Sequence, residues 1–240
     1  MASTSKRLMS GSEDSTASLH HDDYTAGWIS ALPLEMTAAQ AILDQVHEPL
    51  PQSPQDSNCY TLGSIGEHNV AMACLPKGQY GTNNAATVAN SKTRSFLRIQ
   101  HRLIVGIGGG VPNAADIRLG DVVVSTDVVQ YDLVKVLPNN AFQRIAYPMR
   151  PPHSFLTAAS RLRASHSSGQ NHISATIIES RTRLAHYDHP MLQNRLFCSN
   201  YNHPSTAESC DDCDQSQLVS RHIRQTADPM VHYGRIAPGN

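Results

Sequence analysis

The 240-residue chain has no run approaching the roughly 18 to 20 apolar residues that a helix needs to cross a bilayer. Its first residues also lack the apolar core of a secretory signal. A soluble protein with no membrane partner is expected, in the cytoplasm, with the nucleus as the alternative. Neither charge is in excess: 19 basic and 20 acidic residues give a formal net charge of −1, and neither sign gathers in a long block. A nucleic-acid partner held on a basic face is therefore not expected. A disulfide framework is missing too, because five cysteines, an odd number at irregular positions, fit a reducing compartment better than a secreted scaffold. There is no internal repeat, and no Gly-x-Ser-x-Gly elbow, His-Glu-x-x-His helix or Gly-Lys-Ser/Thr loop. Serine hydrolase, zincin and Walker-type chemistry thus have no support.

What is present reads as one α/β domain over residues 24–240 behind a disordered tail at residues 1–23, which are rich in Ser, Thr and charge. AGWISALP is a buried strand and its turn, after which Met36, Ala39, Ile42, Leu43 and Val46 recur at helical spacing and put Glu35 at a helix start. Three prolines within 47–58 predict a loop, and YTLGSI and NVAMACL, joined by Gly66, Glu67 and His68, predict a hairpin. The Thr-Asn-Asn cluster from Thr82 suits the cap of a following helix. LIVGI, DVVVS and VVQYDLVKV read as strands, residues 153–166 as a helix, and HISATII (172–178) as a strand. Strands alternating with helices argue for a layered domain, its sheet mixed because the hairpin is antiparallel. Residues 181–229 are a polar, irregular and unusually long loop, and VHYGRIAPGN supplies one more strand.

The run LIVGIGGGVP (103–112) poses the main chemical question. Gly106, Gly108 and Gly110 give G-x-G-x-G, but a dinucleotide fingerprint needs G-x-G-x-x-G opening a helix, and here Val111 takes the third position and Pro112 follows. No helix N-terminus is expected there to bind pyrophosphate. A tight turn that needs glycine conformations and a turn that lines a ligand both remain open on these residues.

AGWISALPLEM (26–36), YGTNNAATVA (80–89), LIVGIGGGVP, DIRLGDVVVS (116–125) and HYGRIAPGN (232–240) occur in an order that resembles the nucleoside phosphorylase and nucleosidase superfamily. The resemblance spans residues 24–240 and is greatest to the version found in fungal multidomain proteins. It implies a three-layer αβα sandwich with a mixed central sheet, a small-molecule nucleoside as partner, purine N-glycosidic bond cleavage, no cofactor, and assembly into a homo-oligomer. By resemblance, Glu35 activates water, while Gly81, Thr82, Gly108, Gly109 and Gly110 line the nucleoside site. The positions from which phosphorylases contact phosphate correspond to Ile104 and Ile107, so hydrolysis is expected over phosphorolysis, with phosphate only a candidate co-substrate. RLGD (118–121) is expected to be a structural turn, and the insert usual after DVVVS is reduced to Thr126 and Asp127. The family continues beyond HYG-x-I-A-x-G-N into a ribose-binding Glu-Met-Glu segment and a base-protonating aspartate, whereas this sequence stops at Asn240. An incomplete domain lacking the last strands and helices is expected, with a non-catalytic nucleoside-binding or interaction module as the alternative function.

His203, Cys210 and Cys213 form H-x6-C-x2-C, a spacing compatible with zinc. A structural zinc site wants four ligands, so no metal is expected there and the cysteines read as unpaired loop residues, with a small zinc-stapled loop using Cys198 or His222 as fourth ligand as the alternative. His232 and Tyr233 are placed on the last strand without an assigned role.

Overall fold

The computed structural model describes residues 18–112, 115–170, 172–184, 193–206, 208–226 and 228–239. Most of the expected N-terminal tail, residues 1–17, lies outside the described residues. Its last part does not: His21–Asp23 forms a 3-10 turn and Leu19 packs against the core, so order begins ahead of Tyr24.

The elements are β1 (Ala26–Ser30), α1 (Pro33–Ala41), β2 (Gln45–Val46), β3 (Tyr60–Ile65), β4 (His68–Cys74), α2 (Thr82–Ser95), β5 (His101–Ile104), β6 (Val122–Val128), β7 (Val134–Val136), β8 (Phe142–Arg144), α3 (His153–Ser167), α4 (Ile173–Arg183) and β9 (Val231–Ile236). The main sheet has the order β2-β3-β4-β1-β5. β1 runs parallel to β4 and β5, while β3 is antiparallel to β4 and β2, which makes the sheet mixed.

Strand periodicity then builds three layers. Val70 and Met72 of β4 point with Ala26 toward Met36, Ala39 and Leu43 on the α1 side. Ala71 and Ala73 point the other way, into clusters with Phe96 and Ile99 and with Ile29 and Val88 on the α2 side. A strand covered on both faces has no polar face to show, which is why β4 reads as an almost continuous apolar run. The α/β sandwich is thus formed as expected. None of its helices is long and apolar enough to cross a membrane, among the described residues.

Two polar groups are built into this core. Asp56, in the proline-bearing loop, accepts from Tyr60 Oη (2.7 Å), the Asn58 N–H (3.0 Å) and Ser95 Oγ, which ties the loop to the end of α2. Lys92 of α2 is buried, and its Nζ donates to the Trp28 carbonyl at 3.0 Å. Burial, with Arg102 adding to it, pushes Lys92 down to about 7.

The second half departs from expectation in places. HISATII is not a strand but the body of α4, since Ile173 and Ile177 share one helical face and Arg181 and Arg183 suit a helix C-terminus. Its β-branched residues suggested a strand, but such propensity is weak beside context. α4 takes the first residues of the expected 181–229 loop, and Arg183 Nη1 donates to the carbonyls of Ala41 (3.1 Å) and Leu43 at the end of α1. The VVQYDLVKV strand shrinks to β7, paired in a hairpin with β8. β6 and β9 form a separate parallel pair, and β6 runs through Thr126 and Asp127 with a bulge, so these residues make no loop.

Candidate functional site

Because β4, β1 and β5 lie side by side and parallel, their C-terminal ends open on one edge of the sheet, where parallel sheets take their ligands. β1 leads into α1, β4 into the loop before α2, and β5 into the glycine run. The topology therefore gathers Glu35, Gly81, Thr82 and the glycines at one edge, although they are spread over 76 positions from 35 to 110 in sequence.

Glu35 lies in the first turn of α1 and is 8% exposed. Its Oε2 accepts from the N–H groups of Ala31 (2.7 Å) and Leu32 (2.9 Å), and its Oε1 from the N–H of Ile107 (2.8 Å). The contact to Leu32 is half of a capping box, since a leucine at the N-cap has no side-chain acceptor to return. The carboxylate thus straps the exit of β1 to the exit of β5. Counting lone pairs, Oε2 is filled and Oε1 keeps one acceptor position. At the end of β4, burial and the charge of Glu35 push the Cys74 thiol up, which keeps it protonated.

The glycines divide by what each one needs. A Cβ on Gly106 would lie 2.5 Å from Glu35 Oε1, so the strap exists only because that side chain is missing. Gly106 is the site residue that the sequence reading left out. Its signal was its place as the first glycine after the strand. None of Gly106, Gly108, Gly109 and Gly110 has a positive φ, which overturns the tight-turn reading. A Cβ on Gly110 would meet Ile117 at 3.0 Å, whereas Cβ atoms on Gly108 and Gly109 would meet nothing within 4 Å. Residues 105–111 are exposed and form an open shelf. Ile104 and Ile107 are 74% and 73% exposed, so the positions expected to face an anion offer bare apolar side chains.

Gly81 caps α2 in a left-handed conformation (φ 96°), and Thr82 begins the helix. The Thr-Asn-Asn cluster lies in the first turn, so the cap is made by backbone shape and not by a side chain.

RLGD is a structural hub, as expected. The Asp121 carboxylate accepts from Arg224 Nη1 (2.7 Å) and Nη2 (2.6 Å), from the N–H groups of Arg118 (2.9 Å) and Met230 (3.0 Å), and pairs with His232 Nε2 at 2.8 Å. Burial alone would raise it, but these partners hold it well below the usual carboxylate range. Asp116 is bound by Arg118 and Arg221. His232 thus faces the hub, and Tyr233 meets His166 at 3.2 Å, so neither joins the glycine shelf through these contacts. Elsewhere, the ligand atoms of His203, Cys210 and Cys213 lie within 4.8 Å of one another.

Strand-end placement, a strapped carboxylate and a glycine shelf with no helix directly after it among the described residues define an α/β domain whose candidate site lacks the helix N-terminus that a dinucleotide needs. The chain belongs to the phosphorylase superfamily, whose family model matches residues 25–180. It is 38% identical over 245 residues to a nucleotide-binding leucine-rich repeat (NLR)-like protein of Hyaloscypha variabilis, an alignment covering 97% of this chain and 24% of that protein. The chain therefore spans about a quarter of that relative's length. Among solved structures it is similar to the 5'-methylthioadenosine/S-adenosylhomocysteine nucleosidase of Helicobacter pylori (19% identity, 60% of each chain, TM-score 0.46). It is also similar to that of Neisseria meningitidis (14% identity, 90% of this chain and 64% of the other, TM-score 0.46).

Proposed function

We propose that this domain binds a purine nucleoside on the glycine shelf and hydrolyses its N-glycosidic bond. The observation that carries the reading is the Glu35 carboxylate, held beside the glycine run with one acceptor position left on Oε1. Water held there would attack the anomeric carbon as the electron pair of the C–N bond leaves with the base. Glu35 takes the proton of the water, and the departing base gains one, so the reaction is proton-neutral overall. Bare backbone at Gly108 and Gly109 suits close approach of sugar and base. Water is favoured over phosphate because Ile104 and Ile107 supply no charged or hydroxyl donor.

A second reading has its own support. Three backbone donors on Glu35 give it a structural task that needs no chemistry, and the chain matches a quarter of an NLR-like relative. A nucleoside-binding module without turnover, within a longer protein, fits both facts.

Purine release from adenosine, inosine and methylthioadenosine, with and without phosphate, tests the two readings when wild type is compared with Glu35→Gln and folding is checked by thermal unfolding. Hydrolysis predicts phosphate-independent release that the substitution abolishes while calorimetric binding persists. Equally slow release from both proteins, with binding retained, selects the second reading, and absence of binding removes both.

A further inference from the structure

We propose that His203, Cys210 and Cys213 bind a zinc-class divalent cation, and that this cation staples residues 193–219. The three ligand atoms lie within 4.8 Å of one another. Zinc with sulfur at about 2.3 Å and nitrogen at about 2.0–2.1 Å sets its ligands roughly 3.5–4 Å apart, so side-chain adjustment alone closes the cluster. Two thiolates and an imidazole are a soft donor set, which selects zinc over magnesium or calcium.

Two further observations make this more than spacing. First, His203 Nδ1 lies 3.0 Å from the Pro204 carbonyl. A carbonyl only accepts, so this contact suits the tautomer with its proton on Nδ1, in which Nε2 would take the cation, the arrangement that metal-bound histidines use. Second, Cys213 is the only buried residue among the described residues of 193–226. A segment with no apolar core needs some other source of order.

Polar contacts position the ligands. Arg195 donates to the Cys210 carbonyl (2.9 Å) and to Asp211 (2.8 Å), the Asp214 N–H donates to Tyr201 Oη (2.8 Å), and Gln215 donates to the Cys213 carbonyl (2.8 Å). The short turn Cys210–Asp212 brings the two cysteines to one side of the loop. Three protein ligands leave the fourth tetrahedral position to water, an open coordination that departs from the four-ligand rule on which no metal is expected from the sequence.

The test uses the full chain, free of any histidine tag, purified with zinc present and then dialysed. Elemental analysis should find about one zinc per chain, and replacement by cobalt(II) should give thiolate-to-metal charge transfer with the intense visible bands of tetrahedral cobalt. The Cys210→Ser, Cys213→Ser double variant should lose both. Absence of retained zinc, equal zinc in the double variant, or a Cys210–Cys213 disulfide in freshly isolated protein overturns the proposal. Should the double variant fail to fold, the wild-type cobalt spectrum still decides, because octahedral, thiolate-free cobalt is incompatible with the site.

Discussion

At the scale of single residues, the glycine run shows how identical residues carry different demands. Gly106 is constrained by the Glu35 carboxylate, while Gly108 and Gly109 face open space and have ordinary φ values. Gly106→Ala should therefore destabilise the fold by about 1–3 kcal/mol, as overpacking does, measured by denaturant unfolding. Gly108→Ala and Gly109→Ala should stay within about 0.5 kcal/mol of wild type yet weaken nucleoside binding in calorimetry. If alanine at 108 and 109 leaves binding unchanged, the ligand does not rest on the shelf. The run was legible in sequence as a glycine-rich strand exit. Which glycine served structure and which stayed free was not, because that depends on a carboxylate 71 positions upstream of Gly106.

At the scale of elements, α2 is seated on β1 through a buried amine. Lys92 lies against Gly27, where an added Cβ would be 3.0 Å from Lys92 Cε. Its folded-state pKa of about 7 is below the unfolded value of about 10.4, so between these values the unfolded chain binds more protons. Stability should rise with pH across that window, and below about 7 the cost of burying the charge is fully present. Lys92→Met should gain on the order of 1–3 kcal/mol below pH 7 and lose the rise, in paired denaturation curves over pH 6 to 10. A parallel pH dependence in both proteins would show that Lys92 does not titrate in this window. The start of α1 was legible from its apolar spacing, but the spacing carried the helix too far, since α1 ends at Ala41 and Val46 is an exposed residue of β2. The β3–β4 hairpin was legible from its turn. α4 was not, since its isoleucines fit either period until Arg183 is seen to reach the end of α1.

At the scale of the whole molecule, stability is unevenly distributed. Among the described residues, every buried apolar side chain except Val129 and Cys213 lies between Tyr24 and Ile99. The rest leans on polar hubs, of which Asp121 joins the RLGD turn to Arg224 and β9. Its carboxyl is depressed in the folded state, so its contribution is complete above the unfolded value of about 3.9 and is lost as pH falls below that. Hydrogen exchange at falling pH should thus show residues 115–239 opening before residues 24–104. Asp121→Asn should bring that opening to neutral pH at a cost of about 3 kcal/mol, the lower end for a buried pair because Arg224 keeps some solvent contact. Simultaneous opening of both halves would mean that they form one cooperative unit.

The sequence by itself determined the layered α/β class, the mixed sheet, the order of the early elements and the edge residues of the site, because each follows from local periodicity, turn chemistry or a family pattern. Only the tertiary structure decided that Glu35 straps the glycine run, that Gly106 is the constrained glycine, that Lys92 is buried and that His203, Cys210 and Cys213 converge. These are distances between residues far apart in the chain or in different turns of a loop. They are set when strands pair and loops close, and of them only the His203, Cys210 and Cys213 cluster leaves a trace in local spacing, as H-x6-C-x2-C.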